Sequence, residues 1–278
     1  MKNFNNKVAA ITGAGSGIGQ QLAILLAQQG CHLSLSDVNQ QGLASTLALL
    51  KAYDVRVTSK QLDVADRVAM QAWAAETVQN HGSVNMIFNN AGVALGSTVE
   101  GASYEDLEWI VNINFWGVVY GTKEFLPYIK QTQDGHIINI SSLFGLTAQP
   151  TQSAYNATKF AVRGFTESLR QELDMENGGV SALCVHPGGI RTNIANAAKM
   201  NDSIKTLGMH PEKSIKSFNK LLRTPPEEAA RLILDAVQKD KRRLLIGNDA
   251  KTLDFMQRVL PTGYQKVTAF VTNMSKKF

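Results

Sequence analysis

Short apolar runs alternate with longer stretches of helical periodicity along most of this chain, and that rhythm restricts the fold more than any other feature. Strands are expected at 7–12, 31–36, 55–61 and 84–89, with helices at 17–29, 40–52 and 67–81 between them,. Strands joined through helices run parallel, and their crossovers cover both faces of one sheet. The rhythm continues with a helix at 104–130, a strand at 136–141, a helix at 153–176 and a strand at 180–186. Six or seven strands result. The expectation is an α/β, doubly wound parallel sheet that holds 278 residues around one core,.

Past Pro187 the rhythm breaks. Residues 193–223 are polar, but Ile215, Phe218, Leu221 and Leu222 recur at helical spacing. The segment reads as a substrate lid, with a plain surface excursion as the alternative. Thr224-Pro225-Pro226-Glu227 has the form of a capping box opening a helix to about 239, and 242–247 reads as a last strand,. The catalytic body is thus assigned to 1–249 and a C-terminal helical extension, packed on the same domain, to 250–278. That extension carries Leu253, Met256, Leu260, Tyr264, Val267, Val271 and Met274, a stripe interrupted by Pro261-Thr262-Gly263,. Packing on its own domain, a subunit contact and a membrane-surface contact all fit such a stripe.

With 44% hydrophobic and 18% charged residues the chain reads as globular rather than disordered,. Its net charge of +5 is spread along the sequence, with small clusters at 239–243 and at Lys276 and Lys277, so nucleic acid is not the expected partner,. Cys31 and Cys184 fall in apolar strands, where reduced packing thiols are expected,. With no apolar leader visible, this suggests a cytoplasmic location. The five histidines and two cysteines show no metal-ligand spacing, so no metal site is expected,.

Between the first strand and first helix lies Thr12-Gly13-Ala14-Gly15-Ser16-Gly17-Ile18-Gly19. Glycines there allow a sharp turn and close approach of a pyrophosphate to free N–H groups and the positive end of a helix dipole. A tight βα turn is the bland alternative. The second strand ends at Asp37, 20 residues after Gly17. A carboxylate there accepts hydrogen bonds from adenosine ribose hydroxyls and repels a 2′-phosphate, which favours NAD over NADP. Farther on, Tyr155 and Lys159 stand four residues apart on one helix face, where an ammonium favours a neighbouring phenolate,.

These segments, together with Asn89-Asn90-Ala91-Gly92, Asn114, Ser142, Tyr155-Asn156-Ala157-Thr158-Lys159 and Pro187-Gly188-Gly189-Ile190-Arg191-Thr192, resemble the short-chain dehydrogenase/reductase family in order and spacing. The resemblance covers about 7–192 and implies a Rossmann fold and an NAD(P)-dependent alcohol dehydrogenase or ketoreductase. It implies that Ser142 orients the substrate oxygen and that Tyr155 is the acid/base. Lys159 would lower the tyrosine pKa and hold the nicotinamide ribose, while Asn114 would anchor a relay water. His186 receives no role and reads as structural.

For the cofactor, the resemblance implicates Gly13, Ser16, Gly17, Ile18, Gly19, Asp37, Asp63, Val64, Asn90, Ala91, Gly92, Pro187, Gly188, Ile190 and Thr192, besides Tyr155 and Lys159. Asp63 has helix capping as its alternative. The implied substrate is a small secondary alcohol or ketone, and Met200, Leu207, Met209 and Phe218 of the lid suggest that it is apolar. A homo-oligomer, dimer or tetramer, is expected, although the long tail departs from compact members that end soon after the last strand. An NADP-linked carbonyl reductase, an epimerase and a non-catalytic dinucleotide-binding regulator are the competing readings.

Overall fold

The computed structural model describes residue 1 and residues 3–275; Lys276 and Lys277, with the end of the proposed extension, lie outside the described residues. The chain runs β1 (Val8–Thr12), α1 (Gly17–Gln28), β2 (His32–Asp37), α2 (Gln40–Leu50), β3 (Val57–Gln61), α3 (Arg67–His81) and β4 (Met86–Asn89). It continues through β5 (Leu95–Gly96), α4 (Tyr104–Val111), α5 (Gly117–Gln131), β6 (Gly135–Ile140), α6 (Ser153–Glu176) and β7 (Val180–Pro187). The last elements are β8 (Lys199–Met200), α7 (Pro211–Leu221), α8 (Pro226–Gln238), β9 (Arg243–Ile246), α9 (Asn248–Val259) and α10 (Tyr264–Ser275).

Seven strands form one parallel sheet in the order β3-β2-β1-β4-β6-β7-β9, a doubly wound, Rossmann-like architecture. In β1, Ala9 and Ile11 enter the apolar layer with Leu22, Leu26 and Ile233, while Val8 and Ala10 enter the opposite layer with Trp73, Phe125 and Leu169. The period-two alternation of a strand thus fills both faces, and helices seal each. The strand order reverses between β1 and β4. Such a reversal opens a crevice at the carboxyl ends of the strands, which is where ligands enter open α/β sheets.

Two local features depart from the sequence reading. The helix expected at 104–130 is two helices joined by a π turn, Asn112–Trp116, in which Gly117 N–H bonds to Asn112 O. The extra residue lets Asn114 turn inward, where its amide is held by Val93. Thr224 is not a capping residue: α8 starts after Pro225 with no side-chain cap, and the Thr224 backbone instead bridges to Ile190. Tertiary pairing outcompetes the local motif there.

The segment 193–223 contains β8, a 3-10 turn at Asp202–Leu207 and α7. It is tied down by a second, two-stranded sheet of β5 and β8. Among the described residues no helix is long and apolar enough to cross a membrane.

Candidate active site

The glycine loop is braced from β4. Thr12 Oγ1 accepts from the N–H groups of Asn90 and Ala91, each at 3.0 Å, and donates to Phe88 O at 3.3 Å. The Asn90 amide donates to Thr12 O at 3.0 Å and Gly13 O at 3.2 Å. Gly13 has φ +65°, and a Cβ there would lie 2.9 Å from the Ala91 backbone, so neither conformation nor space admits a side chain,. Sequence reasoning overlooked Thr12 as a bracing residue, and its only signal was its place directly before the first glycine.

Ser16 occupies the N-cap of α1, exposed and without a side-chain cap bond. The first helical bond runs from Gln20 N to Ser16 O at 3.2 Å, which leaves the N–H groups of Gly17, Ile18 and Gly19 at the open end of the helix,. Ile18 buries its side chain in the core, so its N–H is what it offers. Asp37 closes this end of the crevice: Oδ2 accepts from Gly15 N–H and Oδ1 from Asn39 N–H, both at 2.8 Å. Each oxygen retains a lone pair for a further donor.

Pro187 ends β7, and the loop behind it folds toward the glycine turn, bringing Thr192 Cγ2 to 3.0 Å from where a Cβ on Gly17 would stand. Gly188 N–H bonds to Ile246 O at 2.9 Å and Gly189 N–H to Asp249 Oδ2 at 2.6 Å. The Ile190 side chain is in the core, so only its backbone faces the crevice loop. Asp63 is exposed and makes a turn to Ala65 N–H at 2.9 Å; Asp66, not Asp63, caps α3. Val64 packs beneath Gly117.

Helix α6 carries Tyr155 and Lys159 one turn apart, both buried at 9% and 4% exposure. Ser142 follows β6 and stands near enough to the Tyr155 hydroxyl to oppose the effect of its burial; its Oγ accepts from Phe144 N–H at 3.1 Å. Lys159 Nζ donates to Ile140 O at 3.0 Å and lies 5.7 Å from the Tyr155 ring centroid. Gly92 sits against both partners, its added Cβ lying 3.2 Å from Asn114 Oδ1 and 3.4 Å from Lys159 Nζ. Ser142, Tyr155, Lys159, Asn114 and the Asn90–Gly92 turn therefore converge on one crevice with the glycine loop.

Two features of this cluster bear on the expected roles. Burial is the dominant influence on Tyr155 and pushes its hydroxyl up, with Ser142 opposing it. The lysine is itself pushed down to about 8 by burial,. The Asn114 side chain is tied to the strand-end loop. Its Nδ2 donates to Val93 O at 2.9 Å and its Oδ1 accepts from Val93 N–H at 2.8 Å, so it fixes the β4 loop.

His186 sits beneath this site. Its Nδ1 donates to Ser142 O at 2.9 Å, and burial pushes its pKa down to about 4, which keeps the ring neutral.

The residues from 7 to 203 match the family model described as short chain dehydrogenase. The chain is 46% identical over 270 residues to the oxidoreductase SadH of Mycobacterium tuberculosis (strain ATCC 25618 / H37Rv), covering 97% of this chain and 96% of the relative. The uncharacterised oxidoreductase YxnA of Bacillus subtilis (strain 168) is 30% identical over 262 residues, covering 94% and 71% of the two chains. Among solved structures, a short-chain dehydrogenase/reductase from Burkholderia phymatum in complex with NAD superposes with a TM-score of 0.86 at 29% identity, covering 94% and 95% of the chains. The chain belongs to the short-chain dehydrogenase/reductase family of oxidoreductases.

Proposed function

We propose that this chain is a cytoplasmic NAD-dependent oxidoreductase that interconverts a secondary alcohol and its ketone, with Tyr155 as acid/base. The observation that carries the reading is the convergence of Ser142, the buried Tyr155 hydroxyl, the buried Lys159 amine and the glycine cradle on one crevice. NAD fits the residues present: the open N–H groups at Gly17–Gly19 suit a pyrophosphate and the unfilled lone pairs of Asp37 suit ribose hydroxyls,. When bound, NAD supplies the hydride acceptor. The residues of Pro187–Thr192 would hold its nicotinamide end, and Asp63 and Val64 its adenine.

Ser142 orients the substrate oxygen toward the phenol. Tyr155 takes the hydroxyl proton in oxidation and returns it in reduction. Its burial raises the energy of the bare phenolate, so the Lys159 ammonium and the Ser142 hydroxyl must stabilise the anion together,. Asn114 holds the Val93 loop beside them. Met200, laid over Gly96, gives the lid an apolar contact and supports an apolar substrate. Exposed Trp116 and Phe160 support a homo-oligomer through the α5–α6 side of the molecule,.

The test is a panel of secondary alcohols with NAD and with NADP, followed by the absorbance of the reduced dinucleotide. Turnover of an apolar alcohol with preference for NAD is expected. Inactivity across the panel, or a clear preference for NADP, rejects the reading.

A further inference from the structure

The C-terminal helices reverse the pattern that the rest of the molecule follows. Helix α10 turns Tyr264 and Thr268 inward, the tyrosine hydroxyl accepting from Ala148 N–H at 3.2 Å. Its apolar side chains point outward. Val267, Phe270, Val271 and Met274, together with Phe255 and Val259 of α9, are between 41% and 68% exposed. Their i, i+3, i+4, i+7 spacing on α10 makes a continuous stripe, and a stripe of this kind facing water marks an interaction surface.

Charge selects the partner. Residues 193–223 and 250–278 contain eleven lysines and arginines against three acids, a net of +8, so the rest of the chain sums to −3. The even spread expected from sequence does not hold once the charges are sorted by segment. Beyond residue 250 the single acid is Asp254, which is buried and held by Arg258 at 2.8 Å and Arg243 at 3.7 Å. Lys251 and Lys266 are exposed, and Lys276 and Lys277 follow in the sequence. Two copies meeting through this face would set cations against cations with no exposed acid of the tail to answer them.

We propose that α9 and α10 dock this chain on an anionic lipid bilayer, the apolar stripe entering the interface and the lysines meeting lipid phosphates. The face adjoins the crevice loops. Asp249, in the first turn of α9, holds Gly189, and Tyr264 holds Ala148 on the segment that follows Ser142. The basic lid ends there too, with Arg223 N–H bonded to Gly189 O at 2.9 Å. Docking therefore sets these loops beside the lipid.

Cosedimentation of the full chain with phosphatidylcholine vesicles, with and without added phosphatidylglycerol, tests this. Binding is expected to the phosphatidylglycerol vesicles alone and to be released by salt. Lys266→Glu should weaken it roughly fivefold or more, and the double variant Phe270→Ser with Val271→Ser should abolish it. Both variants should keep the wild-type melting temperature. No binding to phosphatidylglycerol vesicles at low salt overturns the proposal, as does undiminished binding by folded variants. Loss of a wild-type dimer on Phe270→Ser, seen by light scattering, also overturns it and assigns the face to a second copy.

Discussion

The sheet-borne half of the site and the segments after Pro187 hold their residues by different means. Tyr155, Lys159, Ser142 and Asn114 stand on or beside buried elements, the last three fixed by hydrogen bonds to backbone and Tyr155 packed edge-on against Phe144. In the lid, α7 buries none of its residues fully, and Lys199 holds the segment from the surface. The first arrangement suits chemistry that needs fixed geometry. The second suits a cover that opens for substrate, since exposed ion pairs contribute about 0–1 kcal/mol each. Substitutions should accordingly divide: those in the buried half change turnover, those in the lid change substrate affinity.

Ser142→Ala should lower kcat by about 10²–10³-fold with little change in NAD affinity, because one oriented donor to the reacting oxygen is lost. Steady-state kinetics beside a dinucleotide titration checks it. An equal loss in both quantities would blur the division.

Lys159→Met should separate catalysis from stability. Burial lowers the lysine from 10.5 to about 8, so between those values the unfolded chain keeps a proton that the folded one has shed. Stability then rises with pH across this window, and below it the cost of burying the charge is fully present. The methionine variant should be inactive yet more stable at neutral pH by about 2 kcal/mol, allowing for the lost bond to Ile140 O,. That gain should disappear as pH approaches 10.5. Denaturant titrations at several pH values read this directly, and a destabilised variant at pH 7 contradicts it.

The smallest effect belongs to the lid. Lys199 pairs with Asp106 at 3.0 Å and lies over the Trp109 ring at 4.0 Å from its centroid. Lys199→Ala should raise KM by up to about fivefold and leave kcat unchanged. A fall in kcat alone would show that the lid takes part in chemistry.

How much the sequence revealed follows the same division. Short apolar runs at 7–12, 31–36 and 84–89 with helical stretches between them were enough for the parallel sheet, because both layers of the core must be filled from each strand,. That Tyr155 and Lys159 share one helix face was legible from helical spacing, and the glycine turn from its place after β1. The π turn at Asn114 was not, since one extra residue leaves no mark in a periodic pattern. The pairing of β5 with β8, and that of Thr224 with Ile190, depend on partners about 100 and 34 residues away, beyond any local signal,. The tail stripe was visible, but not its direction: burial of Tyr264 and Thr268 turns Val267 and Phe270 outward. The burial that pushes the Tyr155 hydroxyl up also escaped, because it is set by tertiary packing rather than by spacing.

The central claim is that the Tyr155 hydroxyl moves the substrate proton, and Tyr155→Phe tests it most directly when NAD affinity and alcohol turnover are measured on the same preparation. The account predicts wild-type NAD affinity and melting temperature with turnover lowered by about 10²–10⁴-fold. Turnover within tenfold of wild type, in a variant that still binds NAD, would contradict it.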